Sequence, residues 1–77
     1  MDQVSLLELI AGTLAVPPEE ISEESSMENT RKWDSLRQLI LMTELEGRYG
    51  IELSDVEMTE ATSVAKIRAV LKARGVA

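Results

Sequence analysis

Cysteine, histidine and phenylalanine are all missing from this 77-residue chain, and proline occurs only twice. Without cysteine neither disulfides nor thiolate metal sites can brace the fold, so stability has to come from helix packing helped by capping residues. A reducing compartment is compatible with that composition. Without histidine a serine cannot be activated by an imidazole, which removes the triad chemistry of hydrolases. Only carboxylates remain as metal ligands, and the cluster Glu19, Glu20, Glu23 and Glu24 lacks the glycine-centred ligand order of a calcium loop, so no specific metal site is expected. No apolar run approaches the roughly 18 to 20 residues of a membrane span. The start Met1-Asp2-Gln3-Val4 carries no basic n-region, so the cytoplasm is the expected location and no membrane is expected as partner. A net charge of −6 disfavours nucleic acid and suits docking to basic patches on other proteins.

What is present reads as an ordinary globular chain, with 44% hydrophobic and 29% charged residues and no long polar tract. At this length one domain spanning residues 1–77 is expected, with little room for a large enzyme cleft. Val4, Leu7, Ala11 and Leu14 recur at helical spacing, with Leu6 and Ile10 widening the stripe, and predict a first helix over about residues 3–15 that stops before Pro17-Pro18. From Pro17 to Trp33 the chain is rich in Pro, Glu, Ser and Asn. The isolated apolar residues Ile21 and Met27 predict a long loop pinned to the core at two points, and loops of this length are often functional. A second helix should run from Ser35 to about Arg48 and close at Gly50, weakened near its end by Gly47. Ser54 with Glu57 forms a capping-box pattern for a brief third helix over Asp55 to about Thr59. Ser63 then caps a last helix with Val64, Ile67, Val70 and Leu71 inward and Gly75 as its stop. No strand is expected. The fold class is all-α: a small four-helix bundle, three main helices plus one short helix, with a long first loop. Residues 19–28 carry five glutamates and no base, whereas residues 64–77 carry Lys66, Arg68, Lys72 and Arg74 and no acid. Such runs usually make solvated faces, and the basic one also suits a helix C-terminus.

The chemistry concentrates at the head of the second helix. Asp34 is a good N-cap, and Leu36, Leu39, Ile40, Met42, Leu45 and Tyr49 follow at helical spacing, which makes Ser35 the first residue of a helix that starts abruptly from a polar loop. Its hydroxyl should face solvent. Unsatisfied backbone N–H groups and the positive end of the helix dipole converge there, an arrangement that suits a phosphate ester on that oxygen. Ser35 therefore reads as an attachment point, although an Asp-Ser pair that merely starts a helix would look the same in isolation.

The stretch Trp33-Asp34-Ser35-Leu36, followed by Leu39, Leu41-Met42, Leu45-Glu46 and Tyr49-Gly50-Ile51, closely resembles the acyl carrier protein family, whose Asp-Ser-Leu serine receives 4′-phosphopantetheine. The likeness covers nearly all of the chain: Leu14-Ala15-Val16 with Pro18-Glu19-Glu20-Ile21 matches the end of the family's first helix and the start of its loop, and Thr62-Ser63-Val64 with Ile67 matches the opening of its last helix. The resemblance implies that a phosphopantetheinyl transferase moves the arm from coenzyme A onto Ser35. Acyl groups would then ride as thioesters on a thiol that the cysteine-free chain cannot itself supply, loaded by an acyl- or aminoacyl-ligase or an acyltransferase and passed to condensing or transfer enzymes. It implies a carrier and not an enzyme. Asp34 would cap the helix and help the transferase position its metal or the serine, and Leu36 would sit at a partly buried core edge as an apolar contact beside the arm.

The departures from the family pattern concern partners. Fatty-acid carriers usually present acidic residues along the second helix, whereas here the matching surface includes Arg37, Ile40 and Gly47, leaving chiefly Asp34, Glu44 and Glu46. Helical spacing from Leu36 favours a core position for Ile40; an exposed Ile40 would instead offer an apolar contact. Trp33 is either a partner anchor or the pin of the loop, and Tyr49 a packing residue at the helix end. The Met1 start favours a freestanding, monomeric acyl carrier of a fatty-acid, polyketide or related pathway. An aminoacyl or peptidyl carrier stays open, although the Gly-Gly or histidine common near the serine of such carriers is lacking, as does an acidic helical adaptor without a prosthetic group.

Overall fold

The structure, a computed structural model, describes the backbone of residues 3–76 and the side chains of residues 6–76. Among the described residues four α-helices follow in the order α1 (Gln3–Leu14), α2 (Ser35–Tyr49), α3 (Asp55–Glu60) and α4 (Val64–Ala73), with one turn of 3-10 helix at Pro18–Glu20 and a lone antiparallel bridge between Ser26 and Ser63. The all-helical architecture agrees with the expectation from sequence.

Leu6, Ile10, Ala11 and Leu14 of α1 are buried, and Leu7 packs on the margin of the core; the side chain of Val4 lies outside the described residues. They meet Leu41, Met42 and Leu45 of α2 and Val64, Ile67 and Leu71 of α4. Each such leucine, isoleucine, valine or methionine side chain removed from water contributes about 1.5–3 kcal/mol. The end of α1 is unusual. Val16 N–H donates to Ala11 O at 3.0 Å and Ala15 N–H to Gly12 O at 3.2 Å, a left-handed helix stop whose pivotal residue, Ala15, has φ +61°. Alanine there is strained, and the helix closes one residue earlier than the periodicity indicated, just before Pro17-Pro18.

The long loop is ordered by its own bonds. Ile21 is buried and Met27 half-buried, the two expected pins, and Trp33 is a third. Met27 N–H donates to Thr62 O at 2.8 Å and Val64 N–H to Ser25 O at 3.0 Å, so the loop's backbone is satisfied by the segment entering α4. Asn29 accepts from Ser26 N–H and donates to Glu24 O, closing a turn inside the loop. Arg68 of α4 grips Glu23 with both Nε and Nη2, each at 2.7 Å. The acidic and basic runs therefore meet at this pair. That hydrogen bond is the main reason the Glu23 carboxyl sits below its ordinary value, against the opposing effect of burial, with the Arg68 charge adding to the lowering.

The starts of α2, α3 and α4 are capped as expected from the sequence. Asp34 accepts from Arg37 N–H (2.9 Å), Ser54 and Glu57 form the reciprocal capping box (3.1 and 2.9 Å), and Ser63 accepts from Lys66 N–H (3.1 Å). Gly50, at φ +65°, ends α2 with its N–H on Glu46 O, and Gly75, at φ +74°, follows the end of α4. Glu46 also accepts from Leu53 N–H at 2.8 Å, and Arg74 bonds Glu52 O and the Glu57 carboxylate, so the connector and α3 are tied to the bundle at both ends.

Candidate functional site

The inward face of α2 is Gln38, Leu41, Met42 and Leu45, spaced i, i+3, i+4 and i+7. At 3.6 residues per turn Leu36, Leu39 and Ile40 fall on the far side of the cylinder. Leu36 is 65% exposed and Ile40 42%. Both expectations from the apolar spacing are corrected here: Leu36 is not a core edge, and Ile40 is not core. The reason is Gln38, a polar residue at the centre of the buried line that made the flanking aliphatic residues look like the inward stripe. With Leu39, also exposed, they form an apolar face on the first two turns of α2. Ile40 additionally borders a surface groove of about 570 Å³ between α1 and α2, shared with Leu9, Thr13 and Glu44.

Ser35 occupies the first position of α2 and is exposed, as is Asp34 before it. Asp34 is in extended conformation; its carboxylate takes Arg37 N–H and its carbonyl takes Gln38 N–H (2.8 Å), so the first turn is fixed from one residue. The N–H groups of the first two helical positions have no acceptor within a helix and face outward with the positive end of the dipole. No acidic side chain stands in the first turn of α2. Among the described residues no group hydrogen-bonds the exposed Ser35 hydroxyl, so a phosphodiester on that oxygen displaces no partner. The residues present fit such a group.

Three neighbours hold this turn in place. Arg37 extends a guanidinium N–H to Thr13 O at 2.8 Å, a cation placed on the carbonyl end of α1. Trp33, only 2% exposed, donates its indole N–H to Gln38 Oε1 at 2.7 Å, which decides its role as the pin of the loop. Gln38, 4% exposed, donates its amide to Met58 O (2.9 Å) and Ala61 O (3.0 Å) at the end of α3. Gln38 was not singled out from sequence, and Arg37 was read there only as part of the α2 surface, not as a partner of α1. The available signal was the position of Gln38, in register with Leu41, Met42 and Leu45, because a polar residue on a buried line requires buried partners. Of the acidic residues expected on the α2 surface, Asp34 and Glu44 are exposed, whereas Glu46 is half-buried and engaged with the backbone of Leu53.

Residues 4–71 match a family model described as a phosphopantetheine attachment site. Over 64 residues the chain is 31% identical to polyketide-8 synthase acyl carrier protein 2 of Streptomyces avermitilis, an alignment covering 83% of this chain and 74% of that protein.

Proposed function

Because the chain belongs to the acyl carrier protein family, whose domain is the attachment site for 4′-phosphopantetheine and whose members are carriers and not catalysts, we propose that Ser35 bears the group here. The observation that carries the reading is an exposed hydroxyl, without a hydrogen-bond partner among the described residues, at the first position of α2 within the matched region. When bound, the group supplies the terminal thiol on which acyl intermediates ride as thioesters. The chain's own part is presentation. In the loading step the Ser35 oxygen bonds to the pantetheine-bearing phosphorus of the coenzyme A diphosphate, the bond from that phosphorus to the bridging oxygen breaks, adenosine 3′,5′-bisphosphate leaves, and the hydroxyl proton passes to the transferase. Asp34 keeps the first turn wound so that the hydroxyl and the outward N–H groups face the same incoming phosphate. Leu36, projecting one residue beyond, offers the transferase and the loading and condensing enzymes an apolar contact beside the arm.

Residues 1–77 act as one carrier unit in this reading, and the likeness to a polyketide synthase carrier supports acyl cargo of polyketide type. Exposed Leu36, Leu39 and Ile40 give the α2 face a more apolar character than that of fatty-acid carriers, so its enzymes should carry a complementary apolar patch and depend less on electrostatic steering. Intact-mass spectrometry after incubation with coenzyme A, magnesium and a broad-specificity phosphopantetheinyl transferase tests the proposal. A phosphopantetheine increment present in the wild type and absent in Ser35→Ala supports it; no increment with any transferase tried favours an adaptor without a prosthetic group. Acylation of the holo form by an acyltransferase, against aminoacylation by an adenylating ligase, separates the two kinds of cargo.

A further inference from the structure

The six-residue α3 cannot hold itself as a helix, and the last carbonyls of any helix lack intrahelical donors. Two of the carbonyls at its end, Met58 O and Ala61 O, receive the two amide protons of one side chain, Gln38, which reaches across from α2 one turn beyond Ser35. The same amide uses its oxygen to hold Trp33, two residues before Ser35. One buried group thus joins the chain entering the serine turn, the turn itself and the far end of α3. Two residues from Met58, Val56 projects from α3 with 61% of its surface in solvent.

Resting on the assignment of Ser35 as the attachment site, we infer that Gln38 is a positioning residue for phosphopantetheine transfer: as the C-terminal cap of α3, delivered from the serine-bearing helix, it fixes α3, and with it the exposed Val56, relative to the serine turn so that the transferase meets both at once. The docking surface is then preset in the free carrier. Its loss is expected to weaken recognition of the carrier while the reaction at the Ser35 oxygen, which Gln38 does not touch, proceeds as before.

The substitutions separate the two sides of the amide. Gln38→Glu keeps an acceptor for the indole but removes both donors to α3; Gln38→Met removes all three bonds without adding charge; Trp33→Phe removes only the indole donor and leaves α3 capped. Steady-state transfer from coenzyme A is followed by intact mass for each carrier, at a temperature where circular dichroism shows it folded. Gln38→Glu and Gln38→Met are expected to raise the KM for the carrier about tenfold with kcat changed less than about twofold, the signature of lost binding and not of lost chemistry. Trp33→Phe is expected to lower thermal stability and leave KM within about twofold. Val56→Ser alone should also raise KM, and in the Gln38→Met background should add little, since the two act through one element. Should the first two variants not fold, Gln38→Asn, which keeps the amide but not its reach, is measured against the same expectations. A wild type that is modified while the Gln38 variants keep its KM overturns the inference alone, as does a KM that rises equally in Trp33→Phe. A wild type that no transferase modifies overturns the carrier reading and the inference together.

Discussion

Exchanging alanine and glycine in opposite directions at two positions should stabilise this protein at both. Ala15 is held at φ +61° by the bonds that close α1, a conformation that costs an L-residue with a Cβ about 1–2 kcal/mol. Ala15→Gly removes that cost, offset by the roughly 0.4–1 kcal/mol of additional freedom glycine gives the unfolded chain. The net is a gain of about 0.5–1 kcal/mol. Gly47 is the reverse case: it lies in the last turns of α2 with helical geometry, and a Cβ placed there meets nothing within 4 Å. Gly47→Ala should therefore gain up to about 1 kcal/mol. Each kilocalorie corresponds to a rise in Tm of about 4–8 °C for a domain of this size. Gly47 is twelve residues beyond Ser35, about 18 Å along the helix, so its exchange leaves the serine turn itself untouched. Thermal and urea unfolding followed by circular dichroism measure the effect, with Gly50→Ala at φ +65° as a control that should lose about 1 kcal/mol. A Tm for Ala15→Gly at or below that of the wild type would refute the reasoning.

Asp34→Ala should cost about 1 kcal/mol through loss of the cap on Arg37 N–H, and should slow transfer onto Ser35 at temperatures where the variant is folded. Leu36→Glu and Ile40→Glu, at exposed positions, should change stability by less than about 0.5 kcal/mol while weakening modification by the transferase or acylation of the holo form, read as a rise in KM. Glu23 has its carboxyl lowered by Arg68, so the pair stabilises the fold above the ordinary carboxylate value of 4.5 and loses that contribution as pH falls through the lower folded-state value. Urea unfolding of wild type and Glu23→Gln should accordingly show a gap of under about 1 kcal/mol at neutral pH, small because the pair is partly exposed, that closes in strong acid; a gap independent of pH would contradict the assignment.

The sequence was most legible where a local rule acts on adjacent residues. Asp34, Ser54 with Glu57, and Ser63 each cap the helix that the pattern assigned to them, and Gly50 ends α2, because caps depend on residues within four positions of one another. Ala15 was illegible for the same reason: nothing in alanine announces a left-handed turn, and the two prolines that follow mark only that the helix must stop. The orientation of α2 was misread because its exposed aliphatic residues outnumber what the core needs. Leu36 and Ile40 form as good an i, i+4 pair as Leu41 and Leu45, and only the partners of Gln38, twenty and more residues away, distinguish the faces. The Glu23–Arg68 pair likewise joins residues 45 apart, so each charge run looked like a free face until the fold brought them together. At the site, Ser35 and Asp34 stand where their neighbours implied, whereas the network of Trp33, Gln38 and Arg37 that fixes the turn is tertiary and had no local signature beyond one polar residue on a buried line.

The central claim is that, of the seven serines of this chain, Ser35 is the one that bears the group. Tandem mass spectrometry of peptides from the transferase-treated protein tests it most directly: the account predicts one phosphopantetheine per chain, on the Ser35 hydroxyl, with Ser35→Ala unmodified and still folded. Attachment at Ser54, Ser63 or any other residue, or a folded wild type left unmodified, would contradict it.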